Sequence, residues 1–328
     1  MSALPDGIET FLSQSGWAEA AIEPLPGDAS FRRYFRLRRT GDGGEQTAML
    51  MHAPPPHEDP APFLHAAQWL SANEMRAPDI LAQDVREGWV LIEDFGDRRM
   101  REWIDEGPGE EEAIYAAAID ALVALHRLPP GPFAPYDLAT YLREADLLTE
   151  WYCPSMDLSV DEAGYREAWE EALLPLIERQ QPGVTVLRDY HAENIMLPPD
   201  GSQGLIDFQD ALVGHPAYDL VSLLQDARRD VSEDLERRML DRYLATTGMG
   251  DEFEADYARL GAQRNAKIVG IFTRLHRRDD KPRYLAMIPR VWQAMERDLA
   301  HPALAPVARW FEANIPQAIR DTSGGEIM

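Results

Sequence analysis

Apolar and polar positions recur at two different spacings along this chain, and the change of spacing divides it. Residues Asp6 to Gly16 fit a short amphipathic helix with Ile8, Phe11 and Leu12 on one side. From Ala29 to Arg38 the spacing approaches two: Phe31, Arg33, Phe35 and Leu37 share one face, and Arg32, Tyr34, Arg36 and Arg38 the other. The cluster Gly41-Asp42-Gly43-Gly44 predicts a turn, and Thr47 to His52 the returning strand of a hairpin. Ala53-Pro54-Pro55-Pro56 ends that strand, Pro62 to Asn73 has helical spacing, and Ile80-Leu81 and Gly88 to Asp94 read as two further strands. The first ninety-odd residues therefore predict a small mixed sheet with one main helix.

Beyond Phe95-Gly96-Asp97 the spacing becomes helical, with long segments at Glu110 to Leu128, Tyr165 to Arg179, Ser232 to Thr246, Asp256 to Arg277 and Ile288 to Leu299. One strand pair is expected to interrupt them, Asn194 to Leu197 and Gly204 to Asp207, joined by Pro198-Pro199-Asp200-Gly201. In that turn Pro presets φ, Asp caps locally and Gly accepts a positive φ. Asp321 to Met328 reads as a frayed tail.

Composition narrows the function classes. The 328 residues carry a formal charge of −25, which disfavours nucleic acid and anionic membrane as partners. No run approaches the roughly 18 apolar residues of a membrane helix. A single cysteine, Cys153, excludes a disulfide framework and a cysteine metal cluster, and the first residues carry no basic leader, so a soluble cytoplasmic protein is expected. Lys267 and Lys281 are the only lysines, so any function needing a lysine in the first 260 residues is excluded.

The candidate chemistry flanks the second hairpin. Before it stands Leu187-Arg188-Asp189-Tyr190-His191-Ala192-Glu193-Asn194, and after it Ile206-Asp207-Phe208-Gln209-Asp210. This spacing lets Asp189, Asn194 and Asp207 converge. Phosphoryl transfer needs such a set: a carboxylate to take the proton of an attacking hydroxyl, and hard oxygen ligands for the magnesium ions that bridge nucleotide phosphates. Turn and capping roles for the same residues compete with this reading until Glu93-Asp94-Phe95 and Asp219 are added to it.

With Pro216-Ala217-Tyr218-Asp219-Leu220, these segments resemble the aminoglycoside phosphotransferase and choline kinase family. Asp28-Ala29-Ser30-Phe31-Arg32-Arg33-Tyr34-Phe35-Arg36, Ala53 to Pro56, Asp207 to Ala211, and Lys267 to Phe272 with Arg278 to Leu285 resemble its branch of anomeric N-acetylmuramate and N-acetylglucosamine kinases. The resemblance implies an α+β, bilobal protein-kinase-like fold: a nucleotide-binding N-lobe at 1–94, with a small mixed sheet, and a larger, mainly helical C-lobe at 95–328 carrying the catalytic loop and the sugar site. It implies ATP or GTP as donor, with ATP the expected one, two Mg2+ ions, and an amino sugar phosphorylated at its C1 hydroxyl in cell-wall (peptidoglycan) recycling; a monomer is expected, although the sequence does not give the oligomeric state. Position by position, Asp189 would be the base, Asn194 and Asp207 the metal ligands, and Asp219 a buried brace of the catalytic loop. Ser30, Phe31, Arg32, Arg33, Met49, Glu93, Asp94 and Phe95 would line the nucleotide, with adenine on the backbone of residues 92–95. His191, Glu193, Asp210, Arg264, Lys267 and Arg274 are the acceptor-side candidates; His191 better suits loop packing and is assigned no chemistry, and Asp210 slightly better suits a cap on the next helix than a substrate contact.

The chain departs from the wider kinase pattern in one respect. That pattern pairs a strand lysine with a helix glutamate, yet Thr47 to His52 has no lysine and Pro62 to Asn73 no acidic residue. Arg33, or failing it Arg32, is the expected phosphate cation, under the loop Gly27 to Ser30; the alternative is that both are solvent-facing strand residues. Arg264, Lys267, Arg274 and Arg278 recur at helical spacing. That stripe is either an anion site beside the catalytic loop, suited to a lactyl carboxylate, or a solvated helix face. Other readings of the chain are a family kinase for an aminoglycoside or choline-like alcohol, and a non-catalytic nucleotide-binding regulator.

Overall fold

A computed structural model describes residues 4–26, 31–41 and 44–327. Contacts divide the chain into two compact units, one of residues 1–100 with 194–210 and the other of 101–193 with 211–328. The expected boundary after residue 94 thus lies at 100. The chain also crosses back, because the hairpin is bonded to the first unit. Leu205 N–H donates to the Arg76 carbonyl at 2.7 Å and Leu197 N–H to the Arg98 carbonyl at 2.8 Å.

The first unit is built on a five-stranded antiparallel sheet in the order β1-β2-β3-β5-β4. Its strands are β1 (Ala21–Pro24), β2 (Arg33–Gly41), β3 (Gly44–His52), β4 (Ile80–Asp84) and β5 (Trp89–Glu93). β1 has no sequence signal, since its four residues end in proline and lie at the sheet edge, where a missing donor is tolerated. One face of the sheet is apolar: Phe35, Leu37, Ala48, Leu50, Trp89 and Leu91 pack with Ile8, Phe11, Leu12 and Trp17. Strand alternation sends Tyr34, Arg36, Met49, Met51 and Ile92 to the opposite face. Helix Ala61–Ala72 buries Phe63, Leu64, Ala66, Ala67 and Leu70.

The second unit is mainly helical. Its 28-residue helix Glu252–Asp279 is buried along most of its length, and two glycines let neighbours approach it. A Cβ on Gly270 would lie 2.3 Å from the Leu147 carbonyl oxygen, and one on Gly261 2.3 Å from an Asp298 carboxylate oxygen. Helix Glu233–Thr247 starts where Ser232 accepts from Leu235 N–H and stops at Gly248, whose φ of 70° needs no side chain.

Two expectations fail here. Besides the hairpin of β7 (Ile195–Met196) and β8 (Gly204–Leu205), a second antiparallel pair joins β6 (Val184–Val186) to β9 (Leu212–Gly214). Three-residue runs so far apart carry no periodicity. The tail is also not frayed as far as Gly324: Tyr152 donates to the Gly324 carbonyl at 2.6 Å, and a Cβ on Gly324 would lie 3.1 Å from the Trp292 ring.

Candidate active site

In the first unit, the hairpin brings Asn194 and Asp207 together. Ile206 N–H donates to the Asn194 carbonyl at 3.1 Å, and the Asn194 side-chain amide donates to Asp207 Oδ2 at 3.3 Å. Gln209 Nε2 donates to Asp207 Oδ1 at 2.8 Å. Asp207 holds a φ of +61°, a left-handed conformation that costs energy outside glycine. The next residue pins it there, because Phe208 is buried and stacks on Phe63 with ring centroids 5.2 Å apart.

These oxygens fit a hard divalent cation. Among the described residues no group of three or more His, Cys, Asp or Glu could hold a metal alone. One carboxylate and one amide carbonyl suit magnesium, which keeps waters and shares its remaining positions with nucleotide phosphates.

The nucleotide-side candidates separate by sheet face. Arg33 pairs in register with His52 and lies 5.1 Å over the Phe35 ring, so it follows the apolar face. Tyr34 and Met49 lie on the other face, where Met49 faces Arg36 and Ile92 across the strands. Arg32 precedes β2 and forms an ion pair with Glu58, Nε to Oε2 at 3.3 Å. Phe31 is exposed and stacks on His57 at 5.3 Å. Glu93 holds Arg76 through two hydrogen bonds of 2.6 Å, while the Phe95 ring lies under the same guanidinium. Asp94 pairs with Arg36, Oδ2 to Nε at 2.8 Å. Ser30 and its loop lie outside the described residues. The sequence reading missed Arg36 and Arg76, which tie Glu93 and Asp94 in place; alternation had placed Arg36 on the polar face but could not name its partner.

The second unit carries the candidate catalytic loop. Asp219, fully buried on helix Ala217–Leu224, accepts from Leu187 N–H at 2.6 Å and Arg188 N–H at 2.8 Å, the two residues before Asp189. Arg188 holds a φ of +71° and pairs with Glu144, which also accepts from Tyr136. This turn leaves the Asp189 side chain 43% exposed. Arg264 lies 3.8 Å from Asp189 Oδ1 and donates to Ser222 Oγ at 2.8 Å, which donates to the Arg188 carbonyl at 3.2 Å. Lys267 pairs with Glu144 at 3.1 Å and donates to the Tyr218 hydroxyl at 3.2 Å.

Charge placement sets the state of the Asp189 carboxyl. Desolvation by itself would push the Asp189 carboxyl up, but Lys267, Arg264, His191 and Arg188 together hold it below the ordinary carboxylate value. A depressed value keeps this carboxylate charged down through mildly acidic pH. The acid limb of kcat/KM should therefore lie below the ordinary Asp range for this group, and Lys267→Met should move it upward by several tenths of a pH unit. An unmoved limb would mean that Lys267 does not act on the base.

The remaining acceptor-side candidates scatter. His191 is buried, with Nε2 3.1 Å from Arg228 Nη1, and burial pushes its value down. Glu193 pairs with Arg101 and, at 3.1 Å, with Arg228. Asp210 is exposed and precedes strand β9, so there is no helix for it to cap. The stripe divides as well. Arg264 and Lys267 turn inward, but a rise of about 1.5 Å per residue sets Arg274 roughly 15 Å along the axis from Arg264. Arg278 pairs with Asp279 instead.

Comparison with known proteins agrees with this geometry. Residues 21–262 match the model of the phosphotransferase enzyme family. A Caulobacter vibrioides protein named N-acetylmuramate/N-acetylglucosamine kinase is 39% identical, the match covering 94% of this chain and 96% of that one. A Pseudomonas aeruginosa protein of the same name is 36% identical over 96% and 94%. Among solved structures, choline kinase LicA from Streptococcus pneumoniae gives a TM-score of 0.62 at 14% identity, covering 91% of this chain and 97% of that one. ADP-bound aminoglycoside phosphotransferase APH(2'')-Ib gives 0.60 at 14%, covering 90% and 99%. The fold is kinase-like, and the chain belongs to the phosphotransferase enzyme family.

Proposed function

We propose that this protein transfers the terminal phosphoryl group of ATP to the C1 hydroxyl of N-acetylmuramate and N-acetylglucosamine, supplying the sugar 1-phosphate to cytoplasmic cell-wall recycling. The observation that carries this reading is the near full-length identity to curated kinases of those two sugars. The aminoglycoside and choline kinases share far less sequence and support the fold alone. A cationic acceptor is further disfavoured by Arg264 and Lys267, whose charges act on Asp189.

Asp189 is the base in this reading. An anomeric hydroxyl is more acidic than an ordinary alcohol, so a carboxylate of low basicity suffices and positioning does most of the work. Arg264, held by Ser222, steadies that carboxylate. Asn194 and Asp207 would hold magnesium, which when bound neutralises charge on the transferring phosphoryl group. The backbone of residues 92–95 would bind adenine, and Lys267 and Arg264 would attract the lactyl carboxylate of the acceptor.

Phosphorus NMR tests the reading directly. ATP and magnesium incubated with the protein and a panel of amino sugars, aminoglycosides and choline should give a sugar 1-phosphate signal with the two N-acetyl sugars. A phosphomonoester formed only with an aminoglycoside or choline would overturn the substrate assignment.

A further inference from the structure

We propose that Arg32, held by Glu58, is the phosphate-binding cation of this enzyme and that the two together replace the strand lysine and helix glutamate of the wider kinase pattern. The inference deepens the nucleotide-dependent reading above and rests on it.

The wider pattern requires a cation near the metal-binding aspartate, steered by a carboxylate. In this chain no lysine precedes residue 267, and helix Ala61–Ala72 has no acidic residue to steer one. The carboxylate lies instead in the loop before that helix. Glu58 Oε2 pairs with Arg32 Nε at 3.3 Å, and its Oε1 accepts from Phe31 N–H at 3.1 Å. One side chain thus fixes both the guanidinium and the backbone at the entry to β2. The neighbouring His57 adds a ring stack on Phe31 at 5.3 Å.

The segment that carries Glu58 is tied to the segment that carries Asp207. Phe63, just after Glu58 in the chain, stacks on Phe208, the residue following Asp207. Tyr34 follows Arg32 by two residues; burial pushes its hydroxyl up, the charge of Arg32 opposes the rise and those of Asp207 and Glu58 add to it. Arg33 is the weaker candidate, because it follows the apolar face with Phe35 and His52. Arginine suits the task, since its planar fork matches phosphate oxygens and a carboxylate at Nε sets its orientation. Both side chains are mostly sheltered, 16% and 17% exposed, so their attraction is less screened than that of a surface pair.

Calorimetric titration of ADP and of adenosine into the wild-type protein and its variants tests the assignment. Arg32→Ala should weaken ADP at least tenfold and leave adenosine within twofold, and Arg32→Lys should recover part of the loss. Glu58→Ala should weaken ADP about threefold to tenfold in the wild-type background but hardly at all on top of Arg32→Ala; Glu58→Gln should fall between. ADP affinity unchanged in Arg32→Ala, or equal losses for ADP and adenosine, would overturn the proposal. Wild-type protein that binds ADP yet phosphorylates no amino sugar would remove the acceptor assignment and leave the role of Arg32 standing.

Discussion

Asp189→Asn should lower kcat by about a thousandfold, in the range set by losing a positioned general base, while ADP affinity and melting temperature stay near the wild-type values. The amide keeps the size of the side chain but cannot take the hydroxyl proton. It also removes a charge that faces Arg264 at 3.8 Å, so a small change in stability is expected, limited by the exposure of the carboxylate. Steady-state kinetics with a saturating sugar, together with ADP titration, separates the outcomes. Turnover within tenfold of wild type would show that Asp189 is not the base, whereas loss of turnover, ADP binding and melting temperature together would point to misfolding.

Asp219→Ala should be the most damaging single change to stability. The carboxylate accepts two backbone N–H groups at 2.6 and 2.8 Å in a fully buried position. Each would be left without an acceptor, at a cost of about 1 to 3 kcal/mol apiece. A drop of roughly 2 to 5 kcal/mol is several degrees or more in melting temperature. Activity should fall with it, because those N–H groups belong to the residues that lead into Asp189.

The same group has a pH signature. Burial pushes Asp219 up to about 7, against the pull of the two N–H donors and Arg264. A carboxyl raised in the folded state binds its proton more tightly there than in the unfolded chain. Its stabilising contribution is then complete below about pH 4 and is lost as pH rises through about 7. The melting temperature of wild type minus that of Asp219→Asn should therefore be larger at pH 5 than at pH 8. A difference that grows with pH would reverse the sign and show a group ionised in the folded state.

Most of the candidate catalytic segment was legible in the sequence because its residues lie close along the chain. The hairpin between Asn194 and Asp207 is signalled by Pro198-Pro199-Asp200-Gly201, and the long helices by their spacing. Ile288–Leu299 has the expected ends, and Glu111–Arg127 and Glu233–Thr247 differ from expectation by a residue at each end. The family resemblance, drawn from separated motifs, is borne out by the family match and the curated relatives.

Other features were not legible, for identifiable reasons. β6 and β9 are too short to show a period and pair across the intervening hairpin. Asp210 looked like a cap only because the following element was taken for a helix. Arg33 stood out in an apolar register, yet that face is the one covered by Phe11, Leu12 and Trp17. Glu58 carried no signal, since it lies in a proline-rich loop outside any periodic segment. The tail looked frayed because nothing local shows that the Tyr152 hydroxyl will meet Gly324.

The amino-acid sequence by itself determined the order of elements, the spacing of Asp189, Asn194 and Asp207, and the absence of an early lysine. Those follow from local backbone preference and from counting. Only the tertiary structure decided what covers the apolar face of β2, that Arg264 and Lys267 turn toward Asp189 while Arg274 lies a long way along the same helix, and that Asp219 is buried against the backbone of Leu187 and Arg188. The physical reason is that burial and charge pairing belong to groups distant in sequence: a side chain's partner, and therefore its charge state and its task, exists only once the chain has folded around it.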